Sequence, residues 1–204
     1  MKLIIGTGSP FVRKCRIAVR EKGLTNQVEE FVTAATDDAP ELLAINPISQ
    51  IPALQTDDGV NYFDSGLICQ WLDAHFDSGL KLYPMGGEAY WRARRLEVLA
   101  DGLLEMTVKM VLENRRPESE RSAMWLARWE RNLMRGFAVA EAECPTLDEV
   151  EQHGLDMGSI TLAIAATYLE FRYPHIEWKS TSPNLVALKT ALEKRPSFID
   201  TYPR

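Results

Sequence analysis

The sequence predicts two halves of different class: an α/β half on a four-stranded mixed sheet with helices on both faces, followed by an all-helical bundle. Three observations carry this expectation. Short apolar runs alternate with amphipathic stretches across residues 1–77. Asp57-Asp58-Gly59 sits between two such runs as a hairpin turn. Beyond residue 87 no stretch has strand character, and apolar residues recur at spacings of three and four.

Taken in order, Lys2 to Gly6 reads as a buried strand and Pro10 to Lys22 as a helix with Phe11, Cys15, Ala18 and Val19 on one face. Pro10 suits the first helical turn, where its missing N–H has no partner to lose, and Gly23 ends the helix. Val28 to Val32 reads as the second strand. A polar loop and a short helix around Pro40 to Ile45 follow. Ile51 to Thr56 and Val60 to Phe63 form the hairpin, and Asp64 and Ser65 offer caps to a helix carrying Leu67, Ile68, Trp71 and Leu72. Strands separated by helices imply parallel pairing, and the hairpin adds an antiparallel edge.

Residues 78–87 are rich in chain breakers and read as a linker, so the expected division is 1–77, a linker 78–87, and a helical domain 88–204. Glu88 to Asn114 carries Leu96, Leu99, Leu103, Met106 and Met110 on one stripe. Glu120 to Glu143 does the same with Leu126, Trp129, Leu133 and Phe137. Gly158 to Tyr173 is apolar almost all round, the mark of a buried central helix. Pro183 to Lys194 is a last amphipathic helix before a tail from Pro196 to Pro203.

With 204 residues and 46% apolar content the chain can bury a real core, and its net charge of −6 gives no electrostatic reason to expect nucleic acid. Cys15, Cys69 and Cys144 are odd in number and widely spaced, so they form neither a metal-ligand pair nor a disulfide framework and read as buried small hydrophobes. No apolar stretch approaches the ~20 residues that cross a bilayer. These features predict a cytoplasmic protein with no metal, no nucleic acid partner and no membrane span.

Three fragments of the first half carry chemistry. Ser9-Pro10-Phe11 stands where a strand passes into a helix, so unpaired N–H groups and the positive helix end favour an anion beside the Ser9 hydroxyl. A free thiol has a pKa of about 8.5, which such a site lowers. Asn46-Pro47-Ile48-Ser49-Gln50-Ile51-Pro52 places a proline at the opening of a strand, where a cis bond would leave the Ile51 backbone to pair with a ligand. Asp64-Ser65 at a helix start can hold a carboxylate or an amino acid zwitterion. Taken singly, each is also an ordinary feature: an N-cap, a trans proline at a strand start, a capping pair.

Taken together and in this order, Ser9-Pro10-Phe11, Asn46-Pro47 through Ile51-Pro52-Ala53-Leu54, and Asp64-Ser65 resemble the motif set of the glutathione transferase superfamily. With the linker and helical half the resemblance covers essentially the whole chain. It implies a thioredoxin-like glutathione-binding domain, with Ser9 hydrogen-bonded to the glutathione sulfur and favouring its thiolate. It further implies that the Ile51 backbone pairs with the cysteinyl part beside a cis Pro52, that Asp64 and Ser65 hold the γ-glutamyl end, and that Gln50 approaches the glycine carboxylate. Phe11, two residues after Ser9 in the motif, is included in the glutathione-binding set. Many relatives carry lysine at the Gln50 position, so a neutral hydrogen bond replaces charge pairing here.

The implied activity is conjugation or substitution of reduced glutathione, as co-substrate, on a small electrophile, in a homodimer. Serine in place of the cysteine found in some branches argues against thiol transfer. The rival readings are a non-catalytic protein-binding module on the same scaffold, or a glutathione-dependent isomerase, peroxidase or dehalogenase. Asp156-Met157-Gly158-Ser159 matches the family's capping box with its residue classes exchanged, which keeps a capping role. Arg13 and Lys14 read as exposed helix charges. Met106, Met110, Trp125 and Tyr168 read as core more readily than as a second-substrate site, and His75, His153 and His175 as scattered histidines without ligand spacing.

Overall fold

The computed structural model describes residues 1–33 and 38–203. Part of the polar loop expected after Val32, residues 34–37, lies outside the described residues. The chain divides into two compact units, Met1–Tyr83 joined by the segment from Arg195 onward, and Pro84–Lys194.

The first unit is a four-stranded mixed sheet in the order β2-β1-β3-β4, formed by β1 (Lys2–Ile5), β2 (Glu29–Val32), β3 (Ala53–Gln55) and β4 (Asn61–Tyr62). β1 pairs parallel with β2, Leu3 opposite Glu30, and antiparallel with β3, Leu3 opposite Leu54. β3 and β4 form the hairpin, with Leu54 opposite Tyr62. β1 is central and wholly apolar after Lys2, because it has neighbours on both edges and is covered on both faces. On one face, Ile4 and Ala53 pack with Leu42 and Ile45, at the short helix α2 (Pro40–Leu43) and the residues after it. The helices α1 (Pro10–Glu21) and α3 (Ser65–His75) pack on each other.

The end of α1 fixes the residues that follow α3. Gly23 stands at φ +69, and the N–H groups of Gly23 and Leu24 satisfy the carbonyls of Arg20 and Val19, a Schellman arrangement. The Leu80 N–H donates to the Glu21 carbonyl at 2.8 Å and the Ser78 hydroxyl to the Lys22 carbonyl at 2.8 Å. Gly79 is obligatory between them: a Cβ there would meet the Glu21 carbonyl oxygen at 2.2 Å. The buried Asp73 carboxylate accepts from the Lys22 ammonium and from the N–H groups of Leu82 and Tyr83. Lys81 pairs with it from the surface.

The last helix, α9 (Pro196–Ile199), packs on α1. Arg195 reaches the Glu21 carboxylate through Nε and Nη2 at 2.8 and 2.6 Å, and the Ser197 hydroxyl donates to it at 2.5 Å. Burial works against the Glu21 charge, yet these hydrogen bonds and the Arg195 charge hold its carboxyl below the ordinary carboxylate range. Glu30 is lowered in the same way: burial opposes its charge, and hydrogen bonds from Arg16 and Arg20 outweigh it. One expectation is corrected here. Arg13 and Lys14 are buried, 3% and 0% exposed. Arg13 lies under the Phe198 and Tyr202 rings and donates to the Phe198 carbonyl at 3.3 Å, because the terminal segment covers this side of α1.

The second unit is helical: α4 (Gly87–Arg115), α5 (Ala123–Glu143), α6 (Leu147–His153), α7 (Met157–Arg172) and α8 (Pro183–Leu192), with 3-10 turns at Glu118–Glu120 and Lys179–Thr181. α7 is buried from Met157 through Leu169 and packs chiefly on α4. Gly158 permits that approach, since a Cβ there would lie 2.6 Å from the Ala93 carbonyl oxygen. Asp156 caps α7, accepting from the Ser159 N–H at 2.8 Å and its hydroxyl at 2.9 Å, so the exchanged motif does cap. α6 was not expected from the sequence, although Thr146 and Glu149 form a complete capping box at its start.

Candidate functional site

One end of the sheet gathers the three motif segments, because the strand order and directions dictate it. The chain leaves β1 through Gly6 into α1 and enters β3 through Ile51 and Pro52. The antiparallel pairing of Ile4 with Ala53 puts that exit and that entrance side by side. The Ile51 Cδ1 indeed lies against Gly6, close enough that a Cβ on Gly6 would fall 2.6 Å from it. The Leu54–Tyr62 register then carries Phe63 and Asp64 to the level of Ala53 and Pro52.

Ser9 is the N-cap of α1, held by its own N–H to the Gly6 carbonyl at 3.0 Å. Its hydroxyl oxygen accepts from the Val12 N–H at 3.3 Å. That bond uses one lone pair and leaves the hydroxyl hydrogen available to a second group. Ser9 is half-buried, as is Phe11 on the first turn of the same helix. An electron-rich atom beside Ser9 would meet both the hydroxyl hydrogen and the N-terminal end of a 12-residue helix.

The second segment is shaped by Asn46, whose structural part the sequence reading passed over. Asn46 is 1% exposed; its amide donates to the Gln50 carbonyl at 2.8 Å and its side-chain oxygen accepts from the Ile48 N–H at 3.2 Å. Asn-Pro at a loop start was the available signal, since an Asn side chain readily bonds the backbone two residues on. Ser49 takes φ +52 in the left-handed region, and the loop then presents an exposed Gln50 and a half-buried Ile51. The Ile51–Pro52 bond is cis, as the resemblance implied. Among the described residues the Ile51 N–H and C=O have no hydrogen-bond partner, for β3 begins only at Ala53 and Pro52 carries no N–H. Among the described residues a short stretch of strand edge is therefore open there.

Asp64 is exposed and caps α3, accepting from the N–H groups of Gly66 at 3.0 Å and Leu67 at 3.3 Å. The buried Ser65 opens the helix, and its carbonyl receives the Cys15 thiol at 3.7 Å, which ties the start of α3 to the middle of α1. Ser9, Ile51, Pro52, Asp64 and Ser65 thus border one end of one sheet, with a hydroxyl, an open strand edge and two helix N-termini. Such a surface suits a short anionic peptide with a reactive side chain.

The other residues weighed in the sequence are not gathered into a site. Met110 and Tyr168 are core, whereas Trp125 is 44% exposed on α5 and stacks with Trp129 at 5.7 Å. His75 lies on Trp71, ring centroids 4.4 Å apart. Among the described residues no group of His, Cys, Asp and Glu could hold a metal ion, and no helix is long and apolar enough to cross a membrane.

Comparison with known proteins shows the family. Residues 8–75 match the family model described as the N-terminal domain of glutathione S-transferase. Over 204 residues the chain is 31% identical to the uncharacterized GST-like protein YibF of Escherichia coli K12, covering all of this chain and 98% of that one. A glutathione transferase family member from Pseudomonas fluorescens, solved with bound glutathione, superposes with a TM-score of 0.91 at 33% identity, covering 100% of this chain and 98% of that chain. A glutathione S-transferase from Methylobacterium radiotolerans, solved with glutathione sulfonate, gives 0.88 at 36% identity over 99% of this chain and 94% of its own. The ordered motifs, the thioredoxin-like sheet followed by a helical unit, and likeness along the full length together make this chain a member of the glutathione S-transferase superfamily.

Proposed function

We propose that the chain binds reduced glutathione along the strand edge of the first unit and conjugates it, through its sulfur, to a small electrophile. The observation that carries this reading is the Ile51 main chain, unpaired among the described residues, at the same end of the sheet as the Ser9 hydroxyl. Relatives 33% and 36% identical over nearly their whole length were solved with glutathione or glutathione sulfonate, which supports the same ligand here.

In this reading the cysteinyl residue of glutathione pairs with the Ile51 backbone as an added strand, and Phe11 borders it. Asp64 and Ser65 receive the γ-glutamyl end, the carboxylate of Asp64 meeting its ammonium group. Gln50 offers its neutral amide to the glycine carboxylate. Ser9 donates its remaining hydrogen to the sulfur. A thiol pKa lowered by two units corresponds to about 2.7 kcal/mol of thiolate stabilisation. Positioning of the electrophile beside that sulfur supplies the rest by proximity. The thiolate attacks the electrophilic atom and forms a bond to sulfur; the adduct then either takes up a proton, matching the one the thiol released, or expels its leaving group with the bonding pair.

We place the enzyme in the cytoplasm as a homodimer, a state that sedimentation at micromolar concentration reads directly. The deciding experiment is calorimetric titration with reduced glutathione while thiolate absorbance is followed near neutral pH, then a screen of electrophiles. Saturable binding with thiolate appearing is the expected result. Binding without thiolate or turnover would leave a ligand-holding module, and no binding at millimolar glutathione would overturn the reading.

A further inference from the structure

Beneath the candidate site two thiols face each other inside the first unit. Cys15 on α1 and Cys69 on α3 are each 0% exposed, and their sulfurs lie 3.9 Å apart. The Cys69 S–H points at the Cys15 sulfur, and the Cys15 S–H points at the Ser65 carbonyl at 3.7 Å. The two residues are 54 positions apart in sequence, so only packing of α1 on α3 brings them together. Both are free.

We propose that Cys15 and Cys69 are a redox modification site, a dithiol that closes to a reversible intramolecular disulfide on two-electron oxidation by hydrogen peroxide. The enclosure selects the oxidant. A water-sized peroxide can enter a packed interior through local opening, whereas a glutathione-sized disulfide has no room to form a mixed disulfide there. In the first step one thiol is oxidised: its sulfur takes one peroxide oxygen, the O–O bond breaks and water leaves, giving a sulfenic acid. In the second the neighbouring thiol sulfur displaces that hydroxyl as water and the S–S bond forms. Two thiol hydrogens and two electrons have then passed to the peroxide, and dithiothreitol returns them. The sulfurs must approach from 3.9 Å to bonding distance of about 2.05 Å. The bond staples the helix that begins at Ser9 to the helix that begins at Ser65.

Cys144 is the internal control. It lies in the other unit with its S–H directed at the Pro145 carbonyl at 3.6 Å. Met85 and Met124, 92% and 65% exposed, report the oxidant dose through their sulfoxides. The intact chain is treated with hydrogen peroxide until both methionines are oxidised, unfolded with an alkylating agent, digested and analysed by mass spectrometry. The expected product is a peptide pair joined through Cys15 and Cys69, lighter by two hydrogens and separated by dithiothreitol, with Cys144 recovered alkylated. The linked protein should melt about 5–10 °C higher than the reduced one. In Cys69→Ser the linkage and the shift must both vanish. Recovery of Cys15 and Cys69 as alkylated free thiols at full methionine oxidation would overturn the proposal, as would a bond from either one to Cys144 or to a second chain.

Discussion

The Lys22 ammonium stands 3.2 Å from an Asp73 carboxylate oxygen, with the two side chains 1% and 4% exposed. The pair joins the end of α1 to α3, and the same carboxylate holds the N–H groups of Leu82 and Tyr83. The two partners are therefore unequal. Asp73→Ala strands a buried ammonium and two N–H groups, and should cost about 3–5 kcal/mol in urea unfolding. Lys22→Met should cost less, because the Asp73 carboxylate keeps both N–H donors and Lys81. Equal losses would show that the charge pair alone accounts for the effect.

The Glu21 carboxyl is lower in the folded chain than in the unfolded one, and that fixes the sign of its pH dependence. Stability from Glu21 is fully present above the unfolded value of about 4.3 and is lost as pH falls through the lower folded value. Urea unfolding of the wild type against Glu21→Gln, from neutral pH downward, should show a stability gap at neutral pH that narrows below about pH 4.3. A gap independent of pH would mean that the Arg195 and Ser197 contacts do not depend on the Glu21 charge.

Two glycines with positive φ should respond differently to alanine. At Gly79 the added Cβ meets backbone at 2.2 Å, while at Gly59, φ +85, nothing lies within 4 Å. Gly59→Ala should cost about 1–2 kcal/mol, the left-handed conformation alone. Gly79→Ala should cost at least about 3 kcal/mol, since overpacking against Glu21 and Lys22 is added. Thermal melting of both variants makes the comparison.

Ser9→Ala separates the cap from the chemistry. Loss of the bond to the Val12 N–H should cost about 1 kcal/mol of stability. Glutathione binding should persist through Ile51, Asp64 and Ser65, while turnover falls on the order of 100-fold as the thiolate loses its donor. Ser9→Asn keeps a cap of similar strength, so turnover in that variant distinguishes the two roles. Unchanged turnover in Ser9→Ala would remove Ser9 from the mechanism.

Apolar spacing on one face placed α1 and α3, unbroken apolar runs marked β1 and the buried α7, and the Asp57-Asp58-Gly59 turn located the β3–β4 hairpin, all of which can be read without coordinates. The Ser9, Ile51-Pro52 and Asp64-Ser65 segments were legible because helix and strand starts need particular residue types. α6 was missed even though Thr146 and Glu149 signalled it, since seven polar-rich residues show no period. Burial of Arg13 was not legible either, for it depends on a segment more than 180 residues away lying over α1. The Cys15–Cys69 approach and the Lys22–Asp73 pair have the same origin. The sequence by itself determined what each segment becomes; the tertiary structure alone decided which distant side chains meet, because such contacts are set by packing against partners that local spacing does not encode.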